Sequence, residues 1–379
     1  MDFQLTEEQK LIQQTAREFA RNEVAKDAAE RDQKEEFPAH HVRTMAELGF
    51  MGMTVAPEYG GSGLDSISYV IVIEELSKAD ASVGVICSVN NSLVCFGIEH
   101  YGSDATKQKY LVPLAKGEKL GAFCLSEPGS GSDASSMTTT AVLKDGNYLL
   151  NGTKNWITNG KNADTYVITA HTDPTEGHRG ISVFVVEKSF PGFFIGNKEK
   201  KLGIRSSDTV TINLDDCVVP RENRLGKEGE GFKIAMQTLD GGRIGIAAQA
   251  LGIAQASLEA AVEYAKERVQ FGKPIASFQA IQFKLADMET RINAARLLTY
   301  QAAWRKDQGV NFTTEAAKAK VFASETAVYA STEAVQIFGA NGYLKDYPVE
   351  KYMRDSKITE IYEGTSEIQR IVIGRSLVK

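Results

Sequence analysis

The chain has 379 residues, 42% of them hydrophobic and 24% charged. These proportions exclude a disordered or fibrous polymer and leave room for two or three domains with sizeable cores. Lys and Arg number 43 against 49 Asp and Glu, a net charge of −6, so no basic field calls for nucleic acid or anionic lipid.

The N-terminal MDFQLTEEQK has early acids and no apolar run, unlike a signal peptide. Residues 6–31 read as a helix: Thr6 and Gln9 fit a capping box, and Leu11, Ile12, Ala16, Phe19, Ala20 and Val24 recur at helical spacing. Pro57–Gly63, PEYGGSG, is a loop, and helical patterns return over Ser68–Ala79 and Thr106–Lys116. From residue 121 the texture becomes β-rich. Thr138–Val142 and Tyr148–Asn151 flank Asp145-Gly146, a hairpin signal, and Tyr166–Ala170, Ile181–Glu187 and Thr209–Leu214 are further short strands of a small barrel or sandwich. After Gly231, Phe232–Val269, Phe278–Lys306, Thr314–Phe338 and Ser366–Leu377 read as four helices of an antiparallel bundle. The order α, β, α divides the chain into 1–120, 121–230 and 231–379, an α+β fold. No run of about 18 apolar residues stands out, so no membrane helix is expected.

Several motifs fail on context. Gly129, Gly131 and Ala134 satisfy G-x-G-x-x-A, but the chain continues into β-branched Met137–Val142 instead of a helix, against a Rossmann site. There is no P-loop, no H-E-x-x-H and no G-x-S-x-G elbow. The five histidines are scattered, and His40 and His41 read as solvated surface. Cys87, Cys95, Cys124 and Cys217 form no C-x-x-C pair, which points to a reducing compartment instead of zinc or dithiol chemistry.

Three segments can carry chemistry. Phe123–Asp133, FCLSEPGSGSD, is a strand running into a Gly-Ser turn rich in N–H groups; taken alone it reads as a plain surface loop, although it suits a phosphate or polar heterocycle. Trp156–Gly160, WITNG, offers either a flat wall for an aromatic cofactor or a core Trp at a strand end. In Arg354–Gln369, Glu363 stands between Tyr362 and Gly364. It reads as a part-desolvated general base or as a solvated loop carboxylate, with Ser366 and Gln369 available to cap the following helix.

Together and in this order, these segments resemble the acyl-CoA dehydrogenase family, within it the short-chain, butyryl-CoA type. The resemblance runs the full length, through PEYGGSG, LGIRSSDT, LDGGRIGIAAQALGIA, ERVQFGKPI, FQAIQFKLADM, AVQIFGANGY and ITEIYEGTSEIQR. It implies a helical N-terminal domain, a central β domain and a C-terminal four-helix bundle. It also implies a homotetramer with non-covalent FAD sites shared between subunits. The implied reaction is α,β-dehydrogenation of an acyl-CoA to a trans-2-enoyl-CoA: a base removes the α-proton, flavin N5 takes the β-hydride, and electrons pass to electron-transfer flavoprotein.

Residue by residue, Glu363 matches the family base. An alternative base position on a helix corresponds to Gly242, which has no side chain to act. Phe123, Leu125, Ser126, Gly131 and Ser132 match one flavin segment and Trp156, Ile157 and Thr158 another. Arg268, Phe271 and Gln279 match contacts made across a subunit boundary. Gln336, Ile337, Phe338, Gly339 and Ala340, with Thr365, Ser366 and Glu367, match the rest. Ser132, Asp240, Arg243 and Gly364 match acyl-CoA positions, although Asp240 also suits a helix cap and Arg243 a structural ion pair. Ala340 departs from the family's Gly-Gly and would be strained if its φ were positive. The resemblance leaves branched short-chain substrates and an O₂-using oxidase or monooxygenase as alternatives. The chain's end at Lys379 favours the dehydrogenase, and its location is the cytoplasm or, after removal of a transit peptide, the mitochondrial matrix.

Overall fold

The structure, a computed structural model, describes residues 4–378; the first three residues of the N-terminal reading lie outside them. The Thr6–Gln9 capping box forms and starts α1 (Glu7–Phe19), which continues through a π-helical turn, Ala20–Val24, into α2 (Ala25–Lys34). Then come α3 (Ala39–Glu47), α4 (Ser66–Ala79), α5 (Ala81–Ser88) and, across a π-helical Val89–Cys95, α6 (Phe96–Tyr101). The short α7 (Asp104–Thr106) and α8 (Val112–Ala115) complete the N-terminal helices.

The helices α3, α5 and α6 were not legible in the pattern. Residues 81–95 are buried on every side, so no 3.6-residue stripe marks them. Two described helices, Ala81–Tyr101 and Gly231–Glu267, are in fact long and apolar enough to cross a membrane, which corrects the expectation that no such stretch exists. Both are largely buried inside the protein, 94% and 83%, and that burial accounts for their apolarity. His41 is also corrected. It is 5% exposed and packed beside Arg31 and Asp27, while its neighbour His40 faces solvent. Burial and the Arg31 charge push its pKa down to about 4, so it is neutral.

The middle of the chain forms one mixed sheet in the order β6-β7-β3-β2-β4-β5-β8, with β1 added parallel to β4. Its strands are β1 (Gly121–Cys124), β2 (Thr140–Lys144), β3 (Asn147–Thr158), β4 (Thr165–His171), β5 (Ile181–Glu187), β6 (Phe193–Lys198), β7 (Thr209–Pro220) and β8 (Arg224–Leu225). Lys144 pairs Asn147 across Asp145-Gly146, both at positive φ, as the hairpin signal requires. The C-terminal helices are α9 (Gly231–Glu267), α10 (Gln279–Asp307), α11 (Thr313–Phe338), α12 (Val349–Thr359) and α13 (Ser366–Leu377); a hairpin of β9 (Val269–Gln270) and β10 (Lys273–Pro274) joins the first two. α12 is a fifth helix beyond the four expected; it is short and rich in charge, and it begins after Pro348 without a side-chain cap.

One hydrophobic core runs through both helical regions, from Val24 and Leu76 to Leu251, Ala319 and Val349; the sheet has its own core around Tyr148, Tyr166 and Phe184. Thus α4 and α5 pack directly on α9, and that contact positions the site.

Candidate active site

The loop after β1 is pinned from beneath. Lys154 on β3, fully buried, donates to Glu127 Oε1 at 2.8 Å and to the Leu125 carbonyl at 3.2 Å. Glu127 also accepts from the N–H groups of Thr138 (2.6 Å) and Thr139 (3.1 Å). Burial would raise this carboxyl, but Lys154 and these donors hold it down at about 2. Asn155 N–H donates to the Ser126 carbonyl at 2.9 Å, tying the loop to the second segment. Leu125 is buried, Phe123 and Ser126 half-buried, and Gly131 and Ser132 exposed. No atoms lie within 4 Å of where a Cβ on Gly129 or Gly131 would stand. The loop leads into a short 3₁₀ turn, Ala134–Ser136, and then a strand, so the Rossmann reading stays excluded.

The pairing of β3 with β7 slips between Lys154 and Ile157, and Trp156 takes φ 62° there. A bulge re-aims side chains. Trp156 is accordingly 61% exposed while Ile157 is 2% exposed, which rules out the core-Trp alternative. Thr158 is half-buried and ends β3 opposite Thr209.

Glu363 sits in the turn between α12 and α13 at φ 52°, followed by Gly364 at φ 91°. A non-glycine residue held in this region marks a turn that its surroundings over-determine. The determinants are visible. Gln369 Nε2 donates to the carbonyls of Gly364 (2.8 Å) and Glu363 (3.1 Å), and Lys320 Nζ to that of Gly364 (2.7 Å). Tyr362 donates to Gln249, which holds the Ala81 carbonyl at 2.8 Å. The cap of α13 is Thr365, accepting from Ile368 N–H, and not Ser366 or Gln369. Ser366 is buried and Glu367 exposed.

Glu363 as a residue keeps some exposure, but its Oε2 is sealed from solvent without a hydrogen-bond partner. Burial pushes its pKa up to about 8, against the smaller opposing pull of Lys320 and Arg243. The Glu363 N–H also has no partner among the described residues. A Cβ on Gly242 would stand 2.0 Å from Glu363 Oε2 and 2.7 Å from Leu93 Cδ2, so the two base positions named above address one point in space. Gly242→Ala is therefore expected to displace the flexible carboxylate and leave the fold intact. Turnover should fall by roughly 10²-fold, the cost of about 1 Å of misplacement, while the melting temperature shifts only by the repacking of Leu93 Cδ2.

Beside Glu363 on α9, Arg243 pairs Asp240 at 2.5 Å, and Thr313 Oγ1 donates to Asp240 at 2.6 Å. Asp240 lies inside α9, whose N-terminal residue is preceded by Glu230, so the cap alternative is excluded. Its ion pair with Arg243 is real. Arg243 Nε is buried and unpartnered.

A second cluster lies at the ends of α9 and α11. Arg268, Phe271, Ile337, Phe338, Gly339 and Ala340 line one groove of about 530 Å³, with Phe338 stacked on Tyr264 at 4.0 Å between ring centroids. Phe271 is 92% exposed at φ 52° in the β9–β10 turn. Gly339 takes the positive φ of 63° and Ala340 does not, so the condition for strain at Ala340 is not met. Gln279 and Gln336 are exposed but lie outside the lining of that groove.

Comparison with known proteins decides the family. Three family models match in order: acyl-CoA dehydrogenase N-terminal domain over residues 6–118, middle domain over 122–217 and C-terminal domain over 229–378. The chain belongs to the acyl-CoA dehydrogenase family. It is 53% identical, over all of both chains, to the short-chain specific acyl-CoA dehydrogenase of Clostridium acetobutylicum. It superposes on butyryl-CoA dehydrogenase from Megasphaera elsdenii with a TM-score of 0.99, at 50% identity and full coverage of both chains. A structure from work on the electron transferring flavoprotein of Acidaminococcus fermentans and flavin-based electron bifurcation gives the same score at 54% identity, again with full coverage.

The acyl-CoA dehydrogenase site fits FAD. Trp156 and Phe271 are large aromatic faces held outward by left-handed backbone, Gly129, Gly131 and Gly339 leave backbone open to close approach, and Arg268 supplies a cation beside the groove. The sequence pattern did not single out Lys320, Lys154 or Gln249, and it read Gln369 as a helix cap, not as the donor to the Glu363 and Gly364 carbonyls. Lysines in AKAKVF and TKNW read as ordinary surface residues, and only their lack of exposure in the fold distinguishes them.

Proposed function

We propose that this protein is a FAD-dependent dehydrogenase of short-chain acyl-CoA thioesters, producing trans-2-enoyl-CoA and passing electrons to an electron-transfer flavoprotein. The observation that carries the reading is the sealed, unpartnered Glu363 Oε2, with a pKa of about 8, in the range where a base is efficient near neutral pH. Glu363 takes the α-proton. The Glu363 N–H is available to the thioester oxygen, where negative charge develops, and water exclusion strengthens that bond. Gly364 and Ser132 border the thioester, with Asp240 and Arg243 on its polar side. FAD, when bound, supplies the hydride acceptor for the β-carbon. Phe123, Leu125, Ser126, Gly131, Ser132, Trp156, Ile157, Thr158, Thr365, Ser366 and Glu367 hold it in one subunit, and Arg268, Phe271, Gln279 and Gln336–Ala340 reach it from the neighbour.

Functionally the chain divides into an N-terminal helical domain (1–120), a β domain for flavin and acyl-CoA (121–230) and a C-terminal domain with the base and the subunit contacts (231–379). A homotetramer is supported by large apolar side chains left exposed along α10, Phe283, Leu297 and Trp304, and along α13, Ile371. The enzyme works in a bacterial cytoplasm or a mitochondrial matrix.

A short acyl chain is supported one turn along α9 from Gly242. A Cβ on Gly245 would stand 2.3 Å from both Tyr69 OH and Ser88 Oγ, which hydrogen-bond each other at 2.8 Å. The three residues from Gly242 to Gly245 rise about 4.5 Å, room for few carbons beyond the α-carbon. In an anaerobic visible spectrum, butyryl-CoA should bleach the flavin band rapidly and octanoyl-CoA slowly. A band untouched by butyryl-CoA refutes the substrate, and no flavin after FAD is supplied refutes the reading.

A further inference from the structure

The mechanism so far leaves a buried cation unused. Lys320 on α11 is 0% exposed, its ammonium donates to the Gly364 carbonyl at 2.7 Å, and no ion pair engages it among the described residues. Burying an ammonium without a paired carboxylate is costly, and an apolar side chain would suit the Ala-rich face of α11 better. The placement therefore needs a reason, and its one hydrogen bond supplies it. Gly364 follows the base, and its carbonyl closes the turn that keeps Glu363 at φ 52°.

We propose that Lys320 is the positioning residue of the base: it pins the Gly364 carbonyl, so holding Glu363 in its left-handed turn, and supplies the buried positive charge against which the Glu363 carboxylate forms. This rests on the reading of Glu363 as base and deepens it. The charged and titratable groups around the pair are Arg243 and Asp240 from α9, Tyr69 from α4, and Glu360, Tyr362 and Glu367 from the segment of Glu363 itself. Burial pushes Lys320 down to about 8, with Glu363 the strongest opposing influence, while Glu363 rises to about 8 from the other side. Two groups that meet in this way titrate as a pair. The charge of each group therefore favours the charge of the other, and removing one shifts its partner.

Two variants separate the roles. Lys320→Gln keeps a donor for the Gly364 carbonyl but removes the charge; Lys320→Met removes both. Each is loaded with FAD and read in two ways. Infrared difference spectroscopy follows the protonated Glu363 carboxyl, identified by its loss in Glu363→Gln, as a function of pH. Mass spectrometry follows washout of α-deuterium from [2,2-²H₂]butyryl-CoA under anaerobic conditions. The Glu363 midpoint is expected to move up by about one pH unit in both variants, the effect of losing a nearby opposite charge. Washout at pH 7 should slow roughly tenfold in Lys320→Gln and further in Lys320→Met, whose Gly364 carbonyl keeps only the Gln369 donor. An unchanged midpoint in Lys320→Gln overturns the proposal, whether or not Lys320→Met folds. Absence of washout in the wild type instead refutes Glu363 as the base for this substrate, which the infrared midpoint distinguishes from a failure of Lys320.

Discussion

Glu363→Gln is expected to bind FAD and butyryl-CoA normally and to lose α-proton abstraction by roughly 10²–10⁴-fold, the range a positioned general base contributes. The variant is nearly isosteric, and the bonds that shape the turn run to backbone carbonyls, from Gln369 and Lys320, so geometry survives while basicity does not. The pH dependence has a definite sign. Glu363 titrates at about 8 in the folded protein because burial disfavours its charge, and it must be ionised to accept a proton. The wild-type rate of flavin bleaching should therefore climb with pH toward about 8, and the climb should vanish in the variant. Stability runs the other way. Between the ordinary carboxylate range and about 8 the native state keeps a proton that the unfolded chain releases, so native Glu363 costs increasing stability as pH rises through that window. The glutamine variant should be relatively more stable at pH 8 than at pH 5, as thermal melts at both values will show. Substantial turnover in the variant would place the base elsewhere.

The largest effect on stability is expected at Asp80, between α4 and α5. Its carboxylate is fully buried and accepts from Arg31 at 2.9 Å, Lys351 at 3.0 Å and Ser206 at 3.3 Å. These partners come from α2, α12 and the loop between β6 and β7, so one side chain joins all three parts of the chain. Asp355, the other partner of Lys351, accepts from Ile204 N–H in the same loop at 2.5 Å, and Ile204 is itself held at φ 42°. Asp80→Ala leaves two buried cations short of their counter-charge and should cost about 3–5 kcal/mol, the usual penalty for removing one partner of a buried pair. Burial works to raise the Asp80 carboxyl, but Lys351 and Arg31 together hold it below its ordinary value. Its contribution is thus present at neutral pH and fades as pH falls through the lowered native value. Denaturant titrations at pH 7 should show the full gap between wild type and variant, and strongly acid conditions a narrower one. A loss below about 1 kcal/mol at pH 7 would mean that the cations are solvated or re-paired.

What the sequence made legible follows physical rules. The Asp145-Gly146 hairpin could be read because two consecutive residues at positive φ demand such a pair. The long helices α9, α10 and α11 could be read because strong helix formers dominate them and no proline interrupts them, the glycines of α9 notwithstanding, and Glu363 because its motif neighbours are distinctive. Other features escaped because they exist only in three dimensions. His41 and Asp80 look like surface polar residues until a cation arrives from elsewhere in the chain. Lys320 differs from Lys318 by nothing local, yet one is sealed against the base and the other half-exposed. The α5 and α6 segment hid because a helix surrounded by protein needs no polar side.

That enclosure bears on how the molecule is made. The N-terminal helices complete their core only against α9 to α12, which a ribosome delivers after the whole sheet has been synthesised. Until then Ala81–Tyr101, apolar enough for a bilayer, waits without its partner. The sheet is, in effect, an insertion between the two halves of one helical body, and assembly of that body closes a loop of more than a hundred residues. The nascent chain is therefore most exposed to aggregation while its first third is finished and its last third is not.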